Sequence, residues 1–376
     1  MNDVFITSTG AFLPGPPINN DEVEKTLGLV HGQKSRLKRR ILKSNGIKTR
    51  HYAIDDQQKT THQNEEMAVA AAEKCLDGAF INRDDVGMLS VGTTQGDMVL
   101  PGFGSMVQAG LEISSVELNT AHGICSSSMM AFKTALNSLK VGDHENALVI
   151  GSELASRLLK KSRYEAATEA ICSERIDFDA EFLRWMLSDG AGAVLLQNKP
   201  APRGLSLRVD WMRSFSHADA FPTCMSVGHS GKKGETKRWQ DYETYADAER
   251  DGAILIRQDV RLLENIVKLG VDGFLRLIEE DMVSADAIDH FLCHYSSHYF
   301  RGKIVELLTQ GGAMIPEEKW YTNLYERGNT GCASLFIMMD EFLKTQNVKP
   351  GERVFCHVPE SGRFNTVYIH LTAVEA

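Results

Sequence analysis

One cysteine, one histidine and one asparagine give this chain its clearest chemistry. Cys125 lies in residues 116–141, VELNTAHGICSSSMMAFKTALNSLKV. The pattern predicts a buried strand through Val116 and Leu118, a turn at Gly123, the cysteine, a serine run and then an amphipathic helix. Met129, Met130, Phe132, Ala135, Leu136 and Leu139 recur there at helical spacing. A cysteine between a strand end and a helix start meets unpaired N–H groups and the positive end of the helix dipole. Both favour the thiolate, the nucleophilic form of the side chain. A free cysteine is just as commonly a small buried hydrophobe, so the choice depends on the rest of the chain.

The second half of the sequence repeats the first. IDHFLCHYSS (288–297) resembles DVGMLSVGTT near residue 90, and YERGNTGCASLFIMMDEFL (325–343) mirrors AHGICSSSMMAFKTAL. RVFCHVPESG (353–362) mirrors ALVIGSELAS. All three pairs are offset by about 203 to 206 residues and come in the same order, which implies two copies of one α/β unit. We therefore expect an N-terminal half, 1–198, carrying Cys125 and a C-terminal half, 199–376, carrying His294 and Asn329. A pseudo-twofold between them would bring equivalent strand ends to one place.

That arrangement would set Cys125 opposite His294 and Asn329. An imidazole activates a thiol near neutral pH. Two uncharged donors, the His294 N–H and the Asn329 amide, suit a thioester carbonyl oxygen that gains negative charge as an enolate forms. His290, His298 and His357 lie near similar strands and compete for the role. Asn329 follows Gly328 and is also an ordinary turn residue.

The bulk composition excludes several classes. The chain has 376 residues and a net charge of −9, which argues against nucleic acid as a partner. Seven scattered cysteines form no CxxC pair and no zinc-type spacing, so we expect no metal and a reducing, cytoplasmic setting. No run is long enough for a membrane span. A basic run containing Arg36, Arg39 and Arg40 interrupts the otherwise acidic chain. It reads as a solvated face or as a landing patch for an acidic partner. Residues 214–245 read as a long surface excursion, a lid or a dimer arm.

GICSSSMMAFKTAL, CHYSS and RGNTGCAS resemble the Cys, His and Asn motifs of beta-ketoacyl-acyl carrier protein synthase III, in the thiolase superfamily. ITSTGAFLP, SNGIKTRHYA and SDGAGAVLL fit the same pattern, so the likeness runs from about residue 4 to 372. The resemblance implies an α/β fold of the thiolase type, duplicated and five-layered, α-β-α-β-α. It implies that Cys125 is acylated by a thioester and that His294 and Asn329 support the carbon nucleophile. The Cys125 N–H with one from Ser361 or Gly362 would form the oxyanion hole. Arg301 and Lys303 would join the basic run in docking an acyl carrier protein. Substrates would arrive as phosphopantetheine thioesters on carrier protein or coenzyme A, with no further cofactor, and the enzyme would be a homodimer.

One departure is specific. Where the family has a glycine-rich loop, this chain has PESGRFNT (359–366), bringing Glu360 and Arg363 beside the expected oxyanion hole. PESGRF, NNDEVEKTLGLV and SRLKRRILKSNGI resemble the subgroup that makes dialkylresorcinols and dialkylcyclohexane-1,3-diones. Those enzymes join two acyl thioesters, one a beta-ketoacyl, and then close a ring. Ring closure needs a further acid or base, for which Glu153 is the candidate, with Arg363 and Glu360 as substrate contacts. Glu153 also fits a plain helix N-terminal carboxylate. The competing expectations are an ordinary priming synthase of fatty-acid synthesis, a non-catalytic partner subunit and a cysteine hydrolase.

Overall fold

The computed structural model describes residues 1–169, 176–230 and 236–375. Ten strands form its main sheet: β1 Phe5–Phe12, β2 Met88–Thr93, β3 Glu117–His122, β4 Asn146–Glu153, β5 Gly190–Gln197, β6 Leu205–Ser216, β7 His290–Cys293, β8 Trp320–Tyr321, β9 Arg353–Glu360 and β10 Asn365–Glu375. Their order is β8-β7-β9-β10-β6-β1-β5-β4-β2-β3. Read outward from the centre, β1-β5-β4-β2-β3 and β6-β10-β9-β7-β8 follow the same path. The pairing matches too: β2 runs parallel to β3 and β4, β7 runs parallel to β8 and β9, and the remaining pairs are antiparallel. Antiparallel β1 and β6 join the two sets.

The helices that matter here are α1 Lys38–Asn45, α2 Asn64–Asp77, α3 Ser127–Val141, α4 Leu263–Glu279, α5 His298–Gln310 and α6 Ser334–Thr345. Alternation along the strands shows how they stack. On β4, Ala147 and Val149 face a core shared with Phe132 of α3 and Phe336 of α6, while Leu148 and Ile150 face a separate core under Ala68, Ala71 and Ala72 of α2. In the other half, Val354 and Cys356 of β9 join the central core, whereas Phe355 packs with Phe274 of α4 and Ile304 of α5. Both half-sheets are thus covered on two faces, which explains their near-continuous apolar sequences. The layers run α2, half-sheet, α3 with α6, half-sheet, α4 with α5. This is the five-layer α/β arrangement that the resemblance implied.

Two expectations change. The strand through Leu118 forms, but it is the outer edge of its sheet and mostly exposed rather than buried. The surface excursion begins later than residue 214, because β6 runs to Ser216 as a regular partner of β10. Among the described residues, no helix is long and apolar enough to cross a membrane.

Candidate active site

Local geometry places each reacting side chain. Cys125 lies in the turn between β3 and α3, where the helix start approaches β2 very closely. A Cβ on Gly92 would sit 2.5 Å from the Ser128 nitrogen, so only glycine fits beneath this turn. His294 follows β7 directly, and its N–H donates to the His357 carbonyl at 2.9 Å, extending the pairing with β9. Asn329 is fixed at three points before α6. Its N–H donates to Met186 at 3.0 Å, its carbonyl accepts from Ser188 at 2.8 Å, and its Oδ1 accepts from the Gly331 N–H at 3.0 Å. Cys125, His294 and Asn329 all line one cavity, together with Glu153, His357 and Ser361.

The electrostatics suit uncharged hydrogen-bond donation. Burial, with a smaller contribution from His357, lowers the His294 pKa to about 4, so its ring is neutral at pH 7. Its Nε2 is buried without a protein partner. With Oδ1 of Asn329 engaged, its amide nitrogen is the group left to donate. A neutral imidazole and an amide can both contact a developing oxyanion without a competing charge.

Cys125 corrects the expectation of a thiolate. Burial first, then the nearby carboxylates of Glu360 and Glu153, pushes its thiol well above the usual range. The resting residue is a thiol, because these effects outweigh the helix N-terminus. Glu153 accepts from the Thr94 hydroxyl at 2.5 Å, the Thr94 N–H at 3.3 Å and the Cys332 N–H at 3.1 Å. Burial raises its pKa to about 7 despite these bonds. Gly331, at φ +54°, permits the approach, since a Cβ there would lie 2.9 Å from Glu153 Oε1. Glu153 is therefore a buried carboxyl poised near neutrality.

The other expected site residues divide. Ser361 lines the cavity, and its hydroxyl accepts from Gln258 Nε2 at 2.7 Å. Gly362 is buried just behind it, and its carbonyl accepts from the Cys224 N–H at 2.9 Å. Glu360 is not open to substrate: its Oε2 takes the N–H groups of Ile124 and Ser126 at 3.1 and 2.9 Å and the Ser126 hydroxyl at 2.5 Å. Arg363 is exposed outside the cavity, with Nε donating to the Phe221 carbonyl at 3.1 Å. Neither side chain reaches the reacting atoms, because Glu360 turns toward the α3 turn and Arg363 toward the surface.

On the surface, Arg36, Arg39 and Arg40 are exposed, and α1 packs beside α5. Arg40 lies over the Phe178 ring. Arg301 is paired with Glu317 over Trp320, and Lys303 with Glu306 at 3.4 Å, so these two are partly neutralised by neighbours. His298 bonds the Tyr325 hydroxyl and His290 bonds Glu352, which removes both as alternatives to His294.

Sequence reasoning missed the walls of the cavity. Ile266, Val267, Val271 and Phe274 of α4, with Phe300, Ile304 and Leu308 of α5, extend it into the C-terminal half. Leu154, Leu158, Leu183 and Leu187 line the other side. His357, one of the histidines weighed against His294, lines the same cavity; its Nδ1 bonds the Val367 carbonyl at 3.1 Å, and burial lowers its pKa to about 4. The i, i+4 apolar spacing along α4 was legible, but spacing does not separate a tunnel wall from a packed core.

Known proteins resemble this chain over most of its length. The family described as 3-oxoacyl-[acyl-carrier-protein] synthase III matches residues 120–212, and its C-terminal counterpart matches 278–358. The beta-ketoacyl-[acyl-carrier-protein] synthase III of Ehrlichia chaffeensis is 25% identical over 335 residues, 89% of this chain and 88% of that protein. The chain is a synthase III-like condensing acyltransferase. Among solved structures, the tetronic acid condensing enzyme AbyA1 superposes with a TM-score of 0.77 at 21% identity, covering 98% of this chain and 99% of that one. Xanthomonas campestris OleA, solved with lauric acid and lauroyl-CoA, gives 0.74 at 19% identity over 98% and 99%. These two likenesses establish the thiolase-like fold of the synthase. No group of three or more His, Cys, Asp or Glu side chains suited to a metal occurs among its described residues.

Proposed function

We propose that this synthase joins an acyl group held on Cys125 to a beta-ketoacyl thioester and then closes the product into a cyclohexane-1,3-dione or resorcinol precursor. The observation that carries the reading is the meeting of Cys125, His294, Asn329 and Glu153 on one deep, largely apolar cavity. Substrates are thioesters of a carrier protein or coenzyme A, and no metal or redox cofactor takes part. The exposed Arg36, Arg39 and Arg40 are the docking surface for the acidic carrier, beside Arg301 and Lys303. The working unit is a cytoplasmic homodimer, each chain built of halves 1–198 and 199–376.

In the first step the Cys125 sulfur bonds to the thioester carbonyl carbon. The oxyanion is received by the Cys125 N–H and an N–H of the Ser361–Gly362 turn. Collapse breaks the bond to the carrier sulfur, and the Cys125 proton leaves on the carrier thiol. In the second step Glu153, half-ionised near pH 7, removes a proton from the carbon between the two carbonyls of the beta-ketoacyl thioester. His294 and Asn329 hydrogen-bond the resulting enolate. Its carbon attacks the acyl-enzyme, a C–C bond forms, and the C–S bond to Cys125 breaks with return of a proton to sulfur. With an alpha,beta-unsaturated acyl group, a second carbanion on the far side of the ketone closes the six-membered ring by adding to the enoyl β-carbon, and a proton returns to its α-carbon. Water then cleaves the remaining thioester, releasing the second carrier thiol and then CO2 from the resulting β-keto acid.

Intact mass spectrometry tests the reading. An acyl-CoA should add one acyl mass to the protein and none to Cys125→Ala, and a beta-ketoacyl partner should discharge it to a cyclic product. Free acid alone, or an adduct that survives Cys125→Ala, refutes it. The names of the curated relatives favour a second reading, an ordinary synthase III that stops at the linear beta-ketoacyl thioester. Product mass separates the two, because only cyclisation releases the second thiol.

A further inference from the structure

Glu360 stands at the end of β9 in the C-terminal half, yet all three donors to its Oε2 belong to the nucleophile turn of the N-terminal half, more than 230 positions away. Those donors are the Ile124 N–H, the Ser126 N–H and the Ser126 hydroxyl, which flank Cys125 on both sides. The Cys125 N–H between them is left out of this clamp and faces its own sulfur. Asn365 Nδ2 completes the clamp with a 2.9 Å bond to the Ser126 hydroxyl oxygen. The carboxylate thus occupies N–H groups of the turn leading into α3 and sets a negative charge beside the sulfur.

We propose that Glu360 is a positioning residue for the nucleophile. From one half it fixes the peptide groups on either side of Cys125, leaves Cys125's own N–H outside the clamp for the substrate oxygen, and keeps the resting sulfur protonated. Other titratable groups face this sulfur as well: Glu153 from β4, Cys332 before α6, and His294 and His357 from the cavity wall. Both histidines are neutral, so the two carboxyls set the local charge. Removing the Glu360 charge eases ionisation of the sulfur. A protonated nucleophile resists alkylation and oxidation between turnovers.

This inference rests on Cys125 being the nucleophile, and its test separates the two claims. Labelling of Cys125 by iodoacetamide is followed against pH by peptide mass, in wild type, Glu360→Gln and Glu360→Asp, with folding checked by thermal melting. Glu360→Gln should move the labelling midpoint about one pH unit lower and make labelling several-fold faster at pH 8. Glu360→Asp keeps the charge and should stay near the wild-type midpoint. A Glu360→Gln profile that coincides with wild type overturns the proposal. Should Glu360→Gln fail to fold, Ser126→Ala decides. It removes the 2.5 Å bond and should slow acylation by octanoyl-CoA several-fold, with the labelling midpoint unchanged, whereas unchanged acylation overturns the proposal. Neither result depends on whether Cys125→Ala abolishes the acyl adduct, which tests the nucleophile itself.

Discussion

Ser128 donates its hydroxyl to the carbonyl oxygen of Cys332 at 2.6 Å, and the two residues lie 204 positions apart, the period of the internal repeat. Each stands at the start of a central helix, Ser128 at α3 and Cys332 just before α6. The turns carrying Cys125 and Asn329 therefore touch directly across the interface of the halves. The Cys332 N–H also donates to Glu153, so one residue ties both half-turns to the buried carboxyl. Duplication put equivalent turns together, and divergence gave one a sulfur and the other an amide.

Removing the oxyanion donors should separate the two chemical steps. His294→Ala and Asn329→Ala leave Cys125 and its N–H in place, so acylation by an acyl-CoA should persist within a few-fold. Condensation should fall by about 10²–10³, the usual cost of one lost oxyanion donor. Intact mass reads the first step and product formation the second. Equal loss in both steps would place these groups in acylation instead.

Glu153 should set the alkaline requirement of condensation. Its pKa of about 7 makes the carboxylate the minor form below that pH and the major form above it. Condensation by a base with this pKa rises through pH 7 and levels above it. Glu153→Gln should lose that limb and most of the rate, while remaining acylable at Cys125. A pH–rate profile unchanged by the substitution would remove Glu153 from the proton transfer.

The triad and the duplication were legible in the sequence because both are local signals. A glycine turn, a small-residue run and a Met-rich helix are specified within about twenty residues, and two such stretches can be compared by eye. What stayed hidden depends on long-range contact. The charge state of Cys125 depends first on burial and then on Glu360 and Glu153, which reach it from β9 and β4. Glu360 looked like a substrate contact because its position beside the oxyanion turn was readable and its direction was not. The cavity walls were invisible for another reason: Ile304 and Leu308 are the residue types that would also fill a solid core.

Acid stability should expose the two buried histidines. His294 and His357 have pKa values near 4 in the folded chain against 6.5 for a free imidazole. Between those values the unfolded chain binds more protons, so stability rises with pH from about 4 to 6.5 and falls as the protein is acidified through this window. Glu153 has the opposite sign, since its raised pKa makes the folded chain bind more protons between about 4.5 and 7. His357→Asn should flatten the acid limb of a urea-unfolding series run from pH 7 to pH 4, by up to about one proton in the slope. An acid limb as steep as wild type would mean that His357 is already protonated in the folded state.

Chain length should be set by the α4–α5 end of the cavity. Val271 and Phe274 of α4 face it together with Ile304 and Leu308 of α5, and these four side chains are buried with no polar group among them. An acyl tail entering from Cys125 gains about 0.8 kcal/mol for each methylene it buries there. Ile304→Phe fills part of that space and should exclude two or three methylenes. Acylation by dodecanoyl-CoA should then fall by about 15- to 60-fold, from 1.6–2.4 kcal/mol of lost burial, while butyryl-CoA is unaffected. Leu308→Ala should do the reverse and favour the longer chain, at a stability cost of about 2–5 kcal/mol if the space stays empty. Intact-mass acylation rates across a series of acyl-CoA lengths read both variants. If Ile304→Phe slows short and long chains equally, the tail runs along the Leu154–Leu187 wall, and the α4–α5 end does not select the substrate.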